Sequence, residues 1–277
     1  MIHTEGRFKT KNGANIYYQH WQPQSDPKAI LLIVHGIGEH SGRYLNVVNY
    51  FVPRGFAVYG LDHIGHGKSD GTRMFVERFS DFTEPLKAYF DMIQRWQPGK
   101  PVFIVGHSMG GLIGSVYLLE HQDELKGAVL SAPAVKVADN ISPVTIVMGK
   151  ALSAILPQTG LLALDASTIS RDPSVVSAYV NDPLVYTGKV TARLAAEMLS
   201  AMQRITAEAA SIHLPILLLQ GSADRLVNPD GAKMLYEKAS TPNKTLKVYE
   251  GLYHEVFNEP EREQVFKDME AWLNAQM

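Results

Sequence analysis

Short apolar runs recur along the chain, and longer segments of mixed apolar and polar residues separate them. Runs that are apolar throughout are typical of strands buried on both faces of a sheet. The predicted strands are Asn15–Trp21, Ala29–Val34, Ala57–Asp62, Pro101–Val105, Gly127–Ser131, Pro215–Gln220 and Thr245–Tyr249. Helices are predicted at Tyr44–Val52, Phe82–Trp96, Thr191–Glu208 and Glu261–Asn274. This alternation predicts an α/β fold in which helices flank a mostly parallel sheet.

The alternation stops between residues 135 and 211, where the sequence predicts helical pieces and no strand. Ile146–Leu156 is apolar on nearly all sides, and Leu161–Leu164 continues that character. We therefore predict a core made of residues 1–134 and 212–277 and a helical cap inserted at residues 135–211. The alternative is that these segments are extra core helices, because helices that are apolar all round are often buried.

Composition excludes several classes of function. The net charge of −2 gives no electrostatic case for binding nucleic acid. The chain has no cysteine, which excludes disulfides, thiolate metal sites and a cysteine nucleophile. No apolar run reaches the roughly 20 residues of a membrane span. The first seven residues, Met1–Arg7, lack an apolar signal core, so we expect a cytoplasmic protein.

Ser108 is the first candidate for chemistry. It lies in Gly106-His107-Ser108-Met109-Gly110, after a predicted buried strand and before the helical run Gly111–Leu119. A serine on a glycine-flanked turn between strand and helix is typical of the nucleophile elbow of α/β-hydrolases. The glycines are needed because a Cβ on either side would clash in so sharp a turn. The alternative is that Ser108 merely occupies a tight turn.

A serine nucleophile needs a base, and the base needs an acid that orients it. On this fold these groups follow the serine in the order acid, then histidine. Asp224 follows the strand that ends at Gln220, and His254 follows the strand that ends at Tyr249. Both therefore lie at carboxyl ends of strands, where active sites of open α/β sheets gather. The alternative for Asp224 is a helix cap.

Other histidines fit the role of base less well. His107 is expected to point away from the site because it neighbours the nucleophile on the turn. His63 and His66 lie in a glycine-rich loop and are expected to be structural hydrogen-bonding groups. Glu255, next to His254, is expected to be a solvated surface group.

Hydrolysis of an acyl group also needs an oxyanion hole. One backbone N–H is expected from Met109, the residue after the nucleophile. The second is expected from Ile37, in the loop that follows the strand Ala29–Val34. Both donors belong to the main chain, so their side chains are not diagnostic.

Together these motifs resemble the monoacylglycerol lipase family of serine hydrolases over nearly the whole chain. The segments that carry the resemblance are His35–Tyr44, Asp62–Ser69, Gly106–Gly111, Asn181–Leu184, Leu219–Leu226 and Tyr249–His254. The resemblance implies an α/β-hydrolase fold with a lid-like cap, a catalytic triad of Ser108, Asp224 and His254, and oxyanion donors at Ile37 and Met109.

The resemblance also implies an apolar cap over an acyl tunnel, with transient membrane or micelle contact through that cap. By the same resemblance, Glu39, Arg43 and Tyr179 line the glycerol end of the site. We expect hydrolysis of a monoacylglycerol or similar lipid ester through an acyl-enzyme, with no cofactor and no metal. The alternatives are a broader carboxylesterase or lysophospholipase and, in a different class, a non-catalytic lipid-binding relative.

Overall fold

The computed structural model describes residues 1–137 and 151–277, and these form a sheet with helices on both faces. The strands are β1 (Ile2–Lys9), β2 (Asn15–Gln22), β3 (Ala29–Val34), β4 (Phe56–Leu61), β5 (Val102–His107), β6 (Gly127–Ser131), β7 (Gly160–Ala163), β8 (Lys189–Thr191), β9 (Ile216–Gly221) and β10 (Lys244–Tyr249). The helices described here are α1 (Leu45–Phe51), α2 (Ser80–Trp96), α3 (Met109–His121), α4 (Pro173–Asn181), α5 (Ala192–Glu208), α6 (Asp230–Lys238) and α7 (Arg262–Gln276).

Eight strands form the main sheet in the order β1-β2-β4-β3-β5-β6-β9-β10. The pairs β1–β2 and β2–β4 are antiparallel and the other neighbours are parallel. Every residue of β3, β4, β5, β6 and β9 is buried, as their unbroken apolar sequences predict. The predicted fold class is confirmed. The sequence did not indicate β1, because this edge strand is largely polar and exposed.

Two apolar clusters lie on opposite faces of the sheet. On β3, Ile30 and Leu32 belong to the first cluster, while Leu31 and Ile33 belong to the second, as the alternation of a strand requires. Helices α2, α3, α5 and α6 contribute buried residues to the first cluster, and α1 and α7 contribute to the second. The sheet is therefore covered on both faces, so its carboxyl edge is where loops can gather a site.

The segment between β6 and β9 is not entirely helical. Strands β7 and β8 pair antiparallel, so the expectation that this segment holds no strand is wrong. Three of the four residues of β7 are exposed, so its apolar run does not indicate burial. One face of α5 packs into the first cluster through Leu194, Ala201 and Ile205.

The division of the chain into a core and an inserted cap remains a prediction. Residues 138–150, which include the start of the apolar segment Ile146–Leu156, lie outside the described residues. Of the helices described here, none has the length and apolar character needed to cross a membrane.

Polar contacts join the described segment 151–211 to the carboxyl edge of the sheet. His40 Nε2 lies 3.0 Å from Asp182 Oδ2, which precedes the loop to β8. Arg171 pairs with Glu259, a carboxylate that is fully buried. The backbone N–H of Glu255 donates to the carbonyl of Ile169 at 2.8 Å. This segment therefore lies against the loops at the strand ends, where the sequence predicts its candidate residues.

Candidate active site

Ser108 occupies a strained turn between β5 and α3. Its backbone has φ 55° and ψ −119°, a conformation that non-glycine residues rarely adopt and that is often found at functional sites. A Cβ on Gly106 would lie 2.5 Å from the carbonyl oxygen of Gly110. A Cβ on Gly110 would overlap the carbonyl oxygen of Val34. Only glycine therefore allows the turn to close this tightly. The turn places Ser108 at the N-terminus of α3.

Asp224 and His254 form a buried pair at the same edge. His254 Nδ1 lies 2.8 Å from Asp224 Oδ2, and the two side chains are 5% and 0% exposed. Asp224 Oδ1 accepts hydrogen bonds from the backbone amides of Leu226 and Val227, at 2.8 and 3.2 Å. Burial acts to raise the pKa of Asp224, but the hydrogen bond from His254 and these amides outweigh it and lower that pKa. Asp224 is thus a fixed anionic partner for the imidazole.

Ser108 and His254 line the same cavity, so the structure brings all three candidate residues to one place. Among the described residues, no hydrogen bond joins the Ser108 hydroxyl to the His254 imidazole. Such bonds are often long or poorly aligned in unliganded enzymes and tighten when substrate binds. The bond from Asp224 to His254 is already formed, so the contact still to be made is the one between the Ser108 hydroxyl and the imidazole.

The two candidate oxyanion donors flank Ser108. Met109 is the first residue of α3, so its N–H has no acceptor four residues earlier in that helix. Ile37 lies in the loop after β3 and lines the cavity with Ser108. The preceding Gly36 lies against the nucleophile, since a Cβ there would be 3.4 Å from that of Ser108. Both candidate donors therefore belong to chain segments that lie close to Ser108.

The cavity in front of Ser108 has a volume of about 400 Å³ and a largely apolar wall. The segment between β6 and β9 supplies most of that wall, and its helix α5 contributes one apolar side. Lining residues from this segment include Leu161, Leu162, Leu164, Ile169, Val190, Ala195, Ala196, Leu199 and Met202. A pocket of this size and character accommodates an extended hydrocarbon chain. In the described part of the chain, no cluster of His, Cys, Asp or Glu could hold a metal ion.

One end of the cavity is polar and carries an ion-pair network. Arg43 Nη1 donates to Glu39 Oε2 and to Glu255 Oε1, both at 2.7 Å, and Arg43 Nη2 donates to Glu255 Oε2 at 2.9 Å. The Arg43 guanidinium also lies 4.5 Å from the centre of the Tyr179 ring. Glu39, Glu255 and Tyr179 line the main cavity, whereas Arg43 lines a small neighbouring one.

The expectation that Glu255 is a solvated surface group is wrong. Its side chain is 6% exposed because it pairs with Arg43, which lies 212 positions earlier in the chain. Burial acts to raise the pKa of Glu39, but Arg43 and nearby buried groups lower it to about 2. Both glutamates are therefore held beside one arginine near the reacting groups.

Two histidines, His107 and His63, differ from expectation, whereas His66 agrees with it. His107 does not point away from the site: it lines the cavity, and its ring centre lies 4.7 Å from that of His254. Burial and the neighbouring His254 lower the pKa of His107 to about 4. His66 Nδ1 lies 3.0 Å from the carbonyl oxygen of Ile64, but neither ring nitrogen of His63 has a hydrogen-bond partner in the described residues. His63 is therefore a packing residue rather than a hydrogen-bonding one.

Comparison with known proteins places this chain in a family. A family model described as "Serine aminopeptidase, S33" matches residues 25–261. A monoacylglycerol lipase of Mycolicibacterium smegmatis is 38% identical over 98% of this chain and 96% of its own length. This chain belongs to the monoacylglycerol lipase family of serine hydrolases. The resemblance stated from the sequence motifs is thereby confirmed.

Further relatives within this family extend the likeness to structure. A monoglyceride lipase of Homo sapiens is 36% identical over 95% of this chain and 88% of its own. The crystal structure of Paleococcus ferrophilus monoacylglycerol lipase is 32% identical, covers 95% of this chain and 99% of its own, and has a TM-score of 0.84. The chain is thus a hydrolase whose sheet and flanking helices match those of a solved monoacylglycerol lipase.

Proposed function

We propose that this chain hydrolyses the ester bond of monoacylglycerols, releasing a fatty acid and glycerol. The observation that carries the proposal is that Ser108 and His254, which is hydrogen-bonded to Asp224, line one largely apolar cavity of about 400 Å³. Relatives of more than one third identity along the chain are named monoacylglycerol or monoglyceride lipases, which supports this substrate class.

In the proposed mechanism, His254 Nε2 takes the proton from the Ser108 hydroxyl while the oxygen attacks the acyl carbonyl. Asp224 keeps the proton of the neutral imidazole on Nδ1 and stabilises the imidazolium that forms. The alcohol leaves with the proton that His254 returns. A water molecule, activated by the same imidazole, then cleaves the acyl-enzyme and frees the acid and Ser108.

The negative charge on the attacked carbonyl oxygen is stabilised by the amides of Ile37 and Met109. Such preorganised donors stabilise a transition state by about 3 kcal/mol each. Because Ser108 lies at the N-terminus of α3, the positive end of the helix dipole also favours this negative charge.

The polar and apolar ends of the cavity favour different parts of the substrate. The acyl chain lies along the apolar wall formed by the segment between β6 and β9, where Ala195, Leu199 and Met202 of α5 present apolar groups. The glycerol lies at the end lined by Glu39 and Tyr179, with Arg43 behind them. A buried, charged network can bind hydroxyl groups that the rest of the cavity cannot.

Contact with lipid surfaces is the second part of the proposal. Ile155, Leu156 and Leu162 are 77%, 53% and 58% exposed, and Leu162 also lines the cavity. Exposed apolar side chains at a cavity mouth are suited to peripheral contact with a membrane or micelle. We expect Leu156→Glu to reduce co-sedimentation with phosphatidylcholine vesicles. Val248→Glu, at a similarly exposed site on β10, serves as the control. Equal sedimentation of both variants and the wild type would reject the membrane role.

A broader carboxylesterase or lysophospholipase is the second candidate, because the apolar wall of the cavity does not itself select the alcohol. The test is a substrate panel of mono-, di- and triacylglycerols, lysophospholipids and nitrophenyl esters, with monoacylglycerols of graded chain length. We expect the highest kcat/KM for monoacylglycerols. Preference for another class would favour the alternative.

The matched pair Ser108→Ala and Ser115→Ala tests the nucleophile. Ser115 is a buried serine of α3 whose hydroxyl donates to the carbonyl of Gly111, so its loss removes a comparable group from the same helix. We expect turnover to vanish only in Ser108→Ala. Full activity of Ser108→Ala would refute the proposed mechanism, and absence of turnover in the wild type would favour a non-catalytic lipid-binding protein.

A further inference from the structure

The peptide that joins Gly36 to Ile37 is held by a histidine that the mechanism above does not use. His35 follows β3 directly and is fully buried. Its Nδ1 lies 2.8 Å from the carbonyl oxygen of Gly36, and its Nε2 lies 2.9 Å from the backbone nitrogen of His63. Both ring nitrogens of His35 are thus engaged with the main chain.

These two contacts define which nitrogen of His35 carries the proton. The backbone N–H of His63 can only donate, so Nε2 must be the acceptor. A neutral imidazole has one N–H, which is then on Nδ1 and donates to the carbonyl oxygen of Gly36. Burial also lowers the pKa of His35, which favours the neutral ring that the two contacts require.

Fixing that carbonyl also fixes the amide that follows it. The carbonyl of Gly36 and the N–H of Ile37 belong to one planar peptide, and in a trans peptide they point in opposite directions. The described residues contain no cis peptide bond. A hydrogen bond that sets the direction of the Gly36 carbonyl therefore sets the direction of the Ile37 N–H.

The other side of Gly36 is held as firmly. Its N–H donates to Glu39 Oε1 at 2.7 Å, and the same oxygen accepts from the Tyr44 hydroxyl at 2.8 Å. The His35 imidazole and the Glu39 carboxylate thus fix the two peptides on either side of one residue. Because a Cβ at Gly36 would be 3.4 Å from that of Ser108, this fixed backbone lies beside the nucleophile.

We propose that His35 is a positioning residue that aims the N–H of Ile37 at the carbonyl oxygen attacked by Ser108. The inference rests on the proposed function, since an oxyanion donor matters only if Ser108 acts on an acyl group. Gly36 and Ile37 are among the described residues that line the substrate cavity, but His35 is not. His35 therefore acts through the peptide that joins Gly36 to Ile37. A donor is effective only when its direction is set before the charge develops.

The variants His35→Asn and His35→Gln separate the two contacts of the ring. An asparagine amide nitrogen can reach the place of Nδ1 and keep the donor to Gly36. A glutamine amide reaches the place of Nε2 and leaves the Gly36 carbonyl without its donor. His63→Phe controls for packing, since the ring nitrogens of His63 have no partner in the described residues and its ring centre lies 4.3 Å from that of His35.

Each variant is assayed with a medium-chain monoacylglycerol and with the nitrophenyl ester of the same acid. We expect His35→Gln to lower kcat on both esters by about 10- to 1,000-fold with little change in KM, as for a damaged oxyanion donor. His35→Asn should keep most of that kcat, and His63→Phe should resemble the wild type. The equal loss on both esters distinguishes this role from recognition of glycerol.

Unchanged kcat in folded His35→Gln, an effect confined to KM, or equal losses in both His35 variants would overturn the proposal. If the variants do not fold, nitrogen NMR of the histidine rings in the unaltered protein still tests it. We expect His35 to be protonated on Nδ1, and protonation on Nε2 would overturn the proposal. A wild type that cleaves neither ester would instead refute the proposed function.

Discussion

Replacing Asp224 by asparagine should disable His254 without disturbing the fold. Asp224 Oδ1 accepts two backbone amides, from Leu226 and Val227, which only an oxygen can satisfy. The amide oxygen of Asp224→Asn must therefore take this place, and the NH₂ group must face the position of Oδ2. That NH₂ group then donates to His254 Nδ1, where the carboxylate previously accepted.

The consequence is a histidine in the wrong tautomer. With Nδ1 accepting, the single proton of a neutral His254 is on Nε2, which can no longer take the proton of Ser108. In a Ser-His-Asp triad this change lowers kcat by about 10⁴. At about 1.4 kcal/mol per factor of ten, the loss is about 5 kcal/mol of transition-state stabilisation. Since Gln220 Nε2 also donates to Oδ2 at 3.0 Å, the introduced NH₂ group adds a donor–donor clash.

The assay is turnover of a medium-chain monoacylglycerol, compared with circular dichroism and thermal unfolding to confirm the fold. Asp230→Asn, an exposed carboxylate at the start of α6, makes the same chemical change away from the strand ends and should retain wild-type kcat. A folded Asp224→Asn variant with kcat within tenfold of wild type would refute the assigned role of Asp224.

Three further predictions follow from the network and the cavity wall. Arg43→Met should lower the free energy of unfolding by about 3–5 kcal/mol, because Glu39 and Glu255 lose their shared cation; denaturant titration with no loss would contradict this. The pKa of Glu39 is held at about 2 instead of 4.5, so its ion pair stabilises the fold above pH 4.5, and that contribution is lost as the pH falls toward 2. Urea titrations should therefore show stability falling more steeply over this range in the wild type than in Glu39→Gln, and parallel curves would refute the assignment. Ala196→Leu narrows the acyl cavity and should lower kcat/KM for the longest acyl chains about tenfold or more. The exposed Ala207→Leu on the same helix should leave kcat/KM unchanged. Identical chain-length profiles in both variants would show that the acyl chain does not lie against Ala196.

The sheet and the placement of the candidate triad could be predicted because their signals are local in sequence. Strands such as β3 and β9 are apolar at every position, and the glycines around Ser108 mark a turn that other residues would obstruct. Asp224 and His254 each follow a strand, and the carboxyl ends of parallel strands meet at one edge.

The network around Arg43 could not be predicted because its partners are distant in sequence. A glutamate next to His254 looks like a surface residue until the fold places Glu255 against Arg43, 212 positions away. The hydrogen bond from His35 to Gly36 could not be predicted either, because it depends on the direction of a backbone carbonyl rather than on residue type. Strand β7 was missed because its apolar residues pair with β8 at the surface instead of entering the core.

Labelling with a fluorophosphonate, followed by peptide mass spectrometry, tests the central claim most directly. The reagent reacts with a serine only when a base removes its proton and an oxyanion site accepts the phosphonyl oxygen. We predict one adduct, on Ser108, that is absent from Ser108→Ala and forms far more slowly in Asp224→Asn. An unlabelled wild type, or an adduct on another residue, would contradict the account of Ser108 as an activated nucleophile.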